Sequence, residues 1–424
     1  MKKLIFVCCL FVAAVLCGCA AKNGVDFEGG KGDYSEDVGP VPSGDVDGDI
    51  VSPDFDGEGG EGGDVGDPNG NEQGSAGRVT AGEWRDLDNW LFWSNLMTNK
   101  QADQEGSDFT EYSEYWGLFT NNRVAVRVTD KDGKPVKDMS VQVVPAGQSK
   151  ALFEGRTDNK GEVNLWIGLT QKQEADGANL GLLVGNNGEQ AVKVTHWGEE
   201  VVWNEIIVER REARGESIDI AFIVDATGSM TDEIDFLKAD LTNIITTVQS
   251  KYTDASIRTS ALFYRDEGDD YLTRVSDFTS TLSETVSFIK DQRADGGGDY
   301  PEAVHTALEV GLQKLSWKED GCIRLAFMLL DAPPHKQADV IASLQKSIPL
   351  YAKQGIRIIP VAASGVDKPT EFFLRFTALA TDATYVFLTN HSGIGNDHIA
   401  ATVGDYKVEQ LNELIVRLIG QYLE

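Results

Sequence analysis

Oxygen-bearing side chains follow two apolar runs that have the length of buried strands. Asp225, Thr227 and Ser229 alternate directly after the first run, and Asp331 follows the second. Alternate residues of a tight turn can point to one side, so these residues can bring one carboxylate and two hydroxyls around a common point. Such hard oxygen ligands suit Mg²⁺, Mn²⁺ or Ca²⁺, whereas zinc prefers nitrogen and sulfur. The spacing predicts a cation site, in which the cation offsets the repulsion between the two aspartates.

The elements that would position these side chains alternate between strand and helix from Ser217 onward. Continuous apolar strands joined by helices predict an α/β fold with a Rossmann-like, doubly wound, mostly parallel sheet. Ligands of such sheets bind at the carboxyl ends of the strands, which is where Asp225 and Asp331 are expected. The strand-like runs are Ile218–Val224, Ile257–Phe263, Leu325–Leu330 and Ile356–Val361, and helical patterns cover Glu233–Tyr252 and Ala338–Lys353.

The spacing of Asp225, Thr227 and Ser229, together with the later Asp331, resembles the metal-ion-dependent adhesion site of von Willebrand factor A (VWA) domains. The resemblance covers residues 217–424. It implies a binding module whose metal ion accepts a carboxylate or another oxygen ligand from a partner. In that family a third loop supplies a Thr ligand, and this chain has no Thr at the expected place.

The third loop instead carries an Asp-x-Pro-Glu run that begins at Asp299 and ends at Glu302. This run is similar to integrin β A-like domains, and the similarity implies that Glu302 is a metal ligand and Asp299 an accessory residue. An additional carboxylate would neutralise part of the cation's charge and so weaken its attraction for a partner's oxygen ligand. It would also make Ca²⁺ more competitive with Mg²⁺ for the site. We take Mg²⁺ as the favoured ion, with Ca²⁺ or Mn²⁺ as alternatives. The same two acids could simply favour the N-terminus of the following helix through its dipole.

Other polar residues near these loops have plainer interpretations. Asp225 itself could cap a helix, because aspartate is common at helix starts. Asp266 follows another strand, where it could support the metal site or be a solvated loop acid. We interpret His305 as packed or exposed rather than as a ligand. His391 and His398 lie in a Gly/Asn loop that we interpret as plain surface rather than as a separate metal site.

Two further segments precede the VWA-like region. Residues 118–212 contain short β-rich runs separated by turn signals, and this regular spacing predicts a small β-sandwich. The stretch 155–161 resembles the turn of carboxypeptidase-regulatory-like and bacterial Ig-like modules, which implies a spacer domain. Residues 79–117, the Trp-rich segment, show helical spacing of apolar residues. We expect its apolar face to pack on a following domain.

The N-terminus carries an apolar run after two lysines, and this run ends in Leu16-Cys17-Gly18-Cys19. That tetrad resembles a bacterial lipobox. The resemblance implies a lipoprotein signal peptide over residues 1–18, a membrane anchor on Cys19, and a bacterial cell envelope location, periplasmic or at the cell surface. Residues 19–78 are rich in Gly and acids with few large apolar residues, which predicts a disordered acidic tether.

Charge and missing motifs narrow the function. A net charge of -30 would repel nucleic acid. A haloacid-dehalogenase-type phosphatase would need a second Asp where Thr227 stands, and the nucleophile elbow of serine hydrolases is absent around Ser229. Residues 296–298 lack the Lys and Ser/Thr of a phosphate-binding P-loop. The sequence therefore predicts a binding protein rather than an enzyme.

The predicted partner is a protein or surface polymer that offers a carboxylate to the metal ion. The alternative is an envelope assembly or scaffolding lipoprotein, whose VWA domain binds sister proteins without metal-gated switching. Removing the metal would separate the two, because only the first would lose partner binding. A hydrolase that these motifs do not reveal is a third, remote option.

Overall fold

The structure, a computed structural model, describes residues 75–98, 100, 108–209, 216–394 and 397–424. The predicted lipidation of Cys19, the signal peptide over residues 1–18 and nearly all of the tether over residues 19–78 lie outside the described residues. All described residues belong to one unit, which runs from Asn69 to Glu424. Among the described helices, none combines the length and the apolar character that crossing a membrane requires.

The described residues form sixteen strands and eight α-helices. The strands are β1 (Thr80–Trp84), β2 (Asn122–Asp130), β3 (Ser140–Pro145), β4 (Phe153–Arg156), β5 (Glu162–Trp166), β6 (Leu180–Val184), β7 (Gln190–Ala191), β8 (Thr195–His196), β9 (Trp203–Val208), β10 (Ser217–Asp225), β11 (Ser256–Tyr264), β12 (Thr273–Thr279), β13 (Ile323–Leu330), β14 (Ile356–Ala362), β15 (Tyr385–Leu388) and β16 (Glu409–Gln410). The helices are α1 (Trp90–Met97), α2 (Phe109–Trp116), α3 (Ile234–Lys251), α4 (Leu282–Lys290), α5 (Val304–Gln313), α6 (Ala338–Gln354), α7 (Lys368–Ala380) and α8 (Leu411–Leu423).

An eight-stranded sheet forms the centre of this unit, in the order β12-β11-β10-β13-β14-β15-β1-β16. The five strands β11, β10, β13, β14 and β15 are parallel, and β12, β1 and β16 pair antiparallel at the edges. Every residue of β10, β13 and β14 is buried, which is why these strands read as nearly continuous apolar runs. The mixed α/β sheet confirms the predicted fold class in its coarser form.

The topology places the carboxyl ends of β10 and β13 side by side. The chain passes from β10 to β11 on one side and later returns to β13 on the other, so the strand order reverses here. The crevice at such a reversal is the usual ligand position in doubly wound sheets. Phe222 and Phe327 are paired in register, and their rings stack 5.8 Å apart. Asp225 ends β10, and Asp331 directly follows β13.

The Trp-rich segment is not only helical, because it begins with strand β1. This strand pairs antiparallel with β15 and adds to the large sheet. Helices α1 and α2 then pack on α7, where the rings of Trp93 and Phe109 lie 5.9 and 5.6 Å from the ring of Phe372. The indole nitrogen of Trp116 donates to the carbonyl oxygen of Pro369 at 3.1 Å. The segment therefore adds one strand to the large sheet and packs its two helices on α7.

Two four-stranded sheets are formed by the strands between residues 122 and 208. One has the order β5-β2-β8, with β9 also paired to β2, and the other has the order β4-β3-β6-β7. Their inward-facing apolar side chains are fully buried, for example Val126, Val141 and Leu165. Membership of an Ig-like or carboxypeptidase-regulatory-like family stays a prediction.

These small sheets contact the amino end of the large sheet, which is opposite to the carboxyl ends that carry Asp225. The Asp138 carboxylate accepts from Arg156 Nε at 2.6 Å and from Arg324 Nη1 at 3.1 Å. Arg324 lies near the start of β13. The side-chain amide of Asn164 in β5 donates to Asp382 Oδ1 at 2.6 Å. Both contacts bury polar groups with their partners, so they fix the small sheets at this end.

Candidate metal centre

The first loop of the candidate site turns its oxygen atoms toward one another. Asp225 Oδ1 accepts from the backbone N–H of Thr227 at 2.9 Å and from its hydroxyl at 2.7 Å. The Thr227 and Ser229 hydroxyls are 3.2 Å apart. An aspartate that bonds the backbone two residues on is a common local turn, so neighbouring residues alone can form this arrangement. Asp225 and Thr227 are fully buried.

Three carboxylate oxygens at this edge of the sheet are buried without a hydrogen-bond partner. They are Asp225 Oδ2, Asp331 Oδ1 and Glu302 Oε2. The three residues are exposed by 0, 5 and 3%. A buried polar atom without a partner is costly, and a buried charge more so, unless a cation or a proton compensates it. The donor set therefore fits a divalent cation, for which carboxylate and hydroxyl oxygens are suitable ligands.

The two aspartates influence each other's titration. Burial raises the pKa of Asp225 to about 7, and the charge of Asp331 acts in the same direction. Burial also raises the pKa of Asp331 to about 6, while the Ser229 hydroxyl favours its charged form. The effect of Asp331 on Asp225 is the one expected of like charges at close range, which disfavour ionisation.

Glu302 reaches this space from the third loop. Its backbone N–H donates to the carbonyl oxygen of Pro333 at 2.8 Å, which fixes the third loop beside the segment that follows Asp331. Burial raises the pKa of Glu302 to about 9, and the charges of Asp225, Asp266 and Asp331 add to the effect. The structure therefore brings Glu302 together with both strand-end aspartates.

A glycine allows the third loop to approach the first loop closely. Gly297 has a φ of +74°, a left-handed conformation that favours glycine. A Cβ atom at this position would lie 3.1 Å from Glu302 Oε1 and 3.4 Å from Thr227 Cβ. The backbone N–H of Gly228 also donates to the carbonyl oxygen of Gly296 at 3.1 Å. Close backbone contact between the two loops is thus part of the site.

Asp299 is not among the residues that the structure brings together. It is exposed, and its side chain makes no hydrogen bond or ion pair with the described residues. The next residue, Tyr300, bridges two backbone groups: its hydroxyl donates to the carbonyl oxygen of Gly365 at 3.1 Å and accepts from the N–H of Asp367 at 3.0 Å. The accessory role of Asp299 stays a prediction.

Two histidine–carboxylate pairs flank the candidate ligands. His335 Nε2 lies 2.7 Å from Asp266 Oδ1, and His398 Nε2 lies 3.1 Å from Glu233 Oε1. Asp266 is only 7% exposed, so the interpretation as a solvated acid is wrong. The side chain of His398 is 3% exposed, so it is not part of a plain surface loop. Of the other two histidines considered above, His305 is half-buried and His391 is exposed.

His335 has a weak signal in the sequence, because it lies four residues after the strand-end Asp331. The pairing of His335 with Asp266 has no signal in the sequence, because the two residues are 69 positions apart. Within the part of the chain that the structure describes, no group of three or more His, Cys, Asp or Glu side chains is arranged to hold a metal ion by itself. The three carboxylates of the candidate set, Asp225, Glu302 and Asp331, therefore do not form such a group as they stand, and metal binding by this set stays a prediction.

Comparison with known proteins supports the predicted VWA domain in this region of the chain. Residues 219–371 match the family model of the von Willebrand factor A domain. The chain is 30% identical over 131 residues to the ariadne-like RING finger protein R811 of Acanthamoeba polyphaga mimivirus, which is 31% of this chain and 12% of that protein. It is 32% identical over 122 residues to the alpha-protein kinase vwkA of Dictyostelium discoideum, which is 28% of this chain and 19% of that protein.

The matches thus cover a small part of either relative, 12% and 19% of their lengths. What is shared is a domain rather than a whole protein. The chain contains a VWA domain at residues 219–371, and this domain indicates a role in protein interaction or adhesion.

Proposed function

We propose that the chain is a metal-dependent binding protein whose VWA domain holds a divalent cation. The proposed ligands are Asp225, Thr227, Ser229, Glu302 and Asp331, and the proposed ion is Mg²⁺, with Ca²⁺ or Mn²⁺ as alternatives. The observation that supports this most directly is the set of three buried carboxylate oxygens without hydrogen-bond partners. A cation among them would supply the positive charge that the described side chains do not.

The proposed activity is capture of a partner rather than catalysis. A bound Mg²⁺ takes six oxygen ligands and keeps part of its shell for water or another oxygen donor. A carboxylate of a partner protein or surface polymer is the donor that we propose for this position. In this scheme Asp225 orients Thr227 through its two hydrogen bonds, and Thr227 in turn lies 3.2 Å from the Ser229 hydroxyl.

We also propose that the chain is displayed at a bacterial cell envelope. The support is the lipobox-like tetrad that ends at Cys19, followed by the acidic and Gly-rich composition of residues 19–78. In this arrangement the lipid anchors the chain and the tether separates the VWA domain from the membrane.

Both relatives are named as other kinds of protein, a RING finger protein and a kinase. Because only a VWA-sized part is shared, we retain a binding function without enzymatic activity.

A scaffolding function without metal-gated switching is the second candidate, and contacts of the C-terminal helix α8 favour it. The N–H of Leu411 donates to the carbonyl oxygen of Val79 at 2.9 Å. Arg417 Nη2 lies 2.9 Å from Glu83 Oε1. Asn159 Nδ2 donates to the carbonyl oxygen of Gln421 at 2.7 Å near the other end of the helix. A helix held at several points by the rest of the chain resists displacement.

Two measurements test the proposal. Isothermal titration calorimetry with Mg²⁺, Ca²⁺ and Mn²⁺ should give binding to the full chain and none to Asp225→Ala. The matched control is Asp254→Ala, which changes an exposed aspartate between α3 and β11 and should bind normally. If the unaltered chain binds none of the three ions, the metal-dependent function is wrong.

The second measurement separates the two candidates. Proteins captured from a bacterial envelope extract by the immobilised chain should be released by EDTA and recovered on adding Mg²⁺. Capture that EDTA does not change, and that Asp225→Ala retains, favours the scaffold.

A further inference from the structure

The loop between β11 and β12, residues 265–272, contributes no proposed ligand, yet it joins two of the three loops that do. Arg265 follows β11 and is 5% exposed. Its Nε donates to the carbonyl oxygen of Ala226 at 3.0 Å, and its Nη2 donates to the carbonyl oxygen of Arg293 at 2.9 Å. Ala226 lies in the first loop between Asp225 and Thr227. One guanidinium therefore connects the first loop to the segment that leads into the third.

The backbone of the two loops meets at the same point. The carbonyl oxygen of Ala226 accepts a second hydrogen bond, from the N–H of Asp295 at 3.0 Å. The guanidinium of Arg265 also lies over the ring of Tyr271, with its central carbon 4.4 Å from the ring centroid. That contact holds the guanidinium from within its own loop. The Arg265 side chain thus has a defined position before any cation binds.

Asp269 forms the second connection of the same loop. Its carboxylate accepts from the N–H of Gly297 at 2.9 and 3.1 Å, and from the N–H of Asp266 at 3.1 Å. Gly296 has a φ of +79°, and a Cβ atom there would overlap the Asp269 carboxylate. A Cβ atom at Gly297 would lie 3.1 Å from Glu302 Oε1, so this backbone runs close to the Glu302 carboxylate. Through its hydrogen bonds with the Gly297 N–H, Asp269 therefore fixes the backbone next to the Glu302 carboxylate.

We infer that Arg265 and Asp269 are positioning residues for the cation site, an inference that rests on the proposed function. Affinity for a small cation depends on where its ligands are held, and residues that support metal ligands contribute about 10- to 100-fold to affinity. Arginine suits this role because its planar fork presents several donors in fixed directions, whereas lysine has one compact ammonium. Arg265 sets the spacing of the first and third loops, and Asp269 fixes the backbone of the third loop at Gly297.

The test is Mg²⁺ affinity of the full chain and of four single variants, measured by calorimetry. Arg265→Lys keeps the charge but cannot reach both carbonyl oxygens, so it should weaken Mg²⁺ binding about tenfold. Asp269→Ala should weaken it to a similar extent, and Asp269→Asn should restore part of the affinity because its amide oxygen can still accept from Gly297. The matched control is Arg293→Lys, because Arg293 contributes only its backbone carbonyl and its side chain is exposed.

A merely structural role gives a different result. In that case Arg265→Lys and Asp269→Ala would lower the thermal midpoint in EDTA and leave Mg²⁺ affinity unchanged, and the inference would be wrong. Should Arg265→Lys fail to fold by circular dichroism, the comparison of Asp269→Ala with Asp269→Asn decides, and equal affinities for the two overturn the inference. If the unaltered chain binds no Mg²⁺, Ca²⁺ or Mn²⁺, the proposed function itself is wrong and the inference goes with it.

Discussion

The two ends of the large sheet both bury acidic side chains, but they treat them differently. At the amino end, Asp138 lies within hydrogen-bonding distance of Arg156 and Arg324. At the carboxyl end, Asp225 and Asp331 each keep one buried oxygen without a partner. The first arrangement is internally neutralised by the fold. The second leaves negative charge that the described side chains do not compensate.

The pKa shifts follow this difference in environment. Burial alone would raise the pKa of Asp138, but the hydrogen bonds and charges of Arg156 and Arg324 hold it below its ordinary value. At the other end, burial and neighbouring acids raise the pKa of Asp225 to about 7 and that of Glu302 to about 9. Asp138 is thus paired with cations of the chain, whereas Asp225 and Glu302 are not. Buried acids with raised pKa values that cluster at one sheet edge are candidates for a functional site.

The largest expected effect concerns the paired end. Asp138→Asn should lower the free energy of unfolding by about 3 to 5 kcal/mol, because removing one partner of a buried ion pair leaves the other charges uncompensated. Urea denaturation at neutral pH measures the loss. Asp320→Asn is the matched control: this exposed acid also contacts Arg156, and its loss should cost less than about 1 kcal/mol. Equal losses of unfolding free energy for both variants would mean that the buried pairing of Asp138 contributes no more than an exposed ion pair. The distinction between the two ends of the sheet would then be wrong.

The next effect concerns the unpaired end. Asp331→Asn should weaken Mg²⁺ binding by more than about 100-fold, or about 2.8 kcal/mol, since even supporting residues contribute about 10- to 100-fold. Its thermal midpoint in EDTA should not fall, because the change removes a buried negative charge next to Asp225. Calorimetry and thermal unfolding check the two parts. A lower midpoint in EDTA would mean that Asp331 stabilises the fold in the way that Asp138 does.

The smallest effect is the pH dependence of the paired end. Because the pKa of Asp138 is lowered on folding, the unfolded chain binds more protons than the folded chain as the pH falls. The stability from Asp138 is therefore complete above the unfolded pKa of about 3.9 and is lost as pH falls through the lower, folded pKa. The difference in unfolding free energy between the unaltered chain and Asp138→Asn should shrink below pH 4. A difference that is constant from pH 7 to pH 3 would contradict this account.

Local features of the sequence were enough to predict the centre of the fold and much of the candidate site. The apolar runs at β10, β11, β13 and β14 were predicted as strands because strands buried on both faces are apolar throughout. The turn from Asp225 to Ser229 follows from hydrogen bonds between residues two apart. Strand β1 was not predicted, because it has only five residues and its partner β15 lies about 300 residues later in the chain.

The sequence by itself determined which side chains could serve a cation, since residue type and spacing within one loop are local properties. Only the tertiary structure decided which acids are paired and which are not. Asp138 lies 186 residues from Arg324, and Asp266 lies 69 residues from His335. No pattern of neighbouring residues in the sequence predicts contacts between residues so far apart in the chain. The physical reason is that a carboxylate's charge state and partners depend on burial and on neighbours from distant segments, which exist only after the sheet has formed.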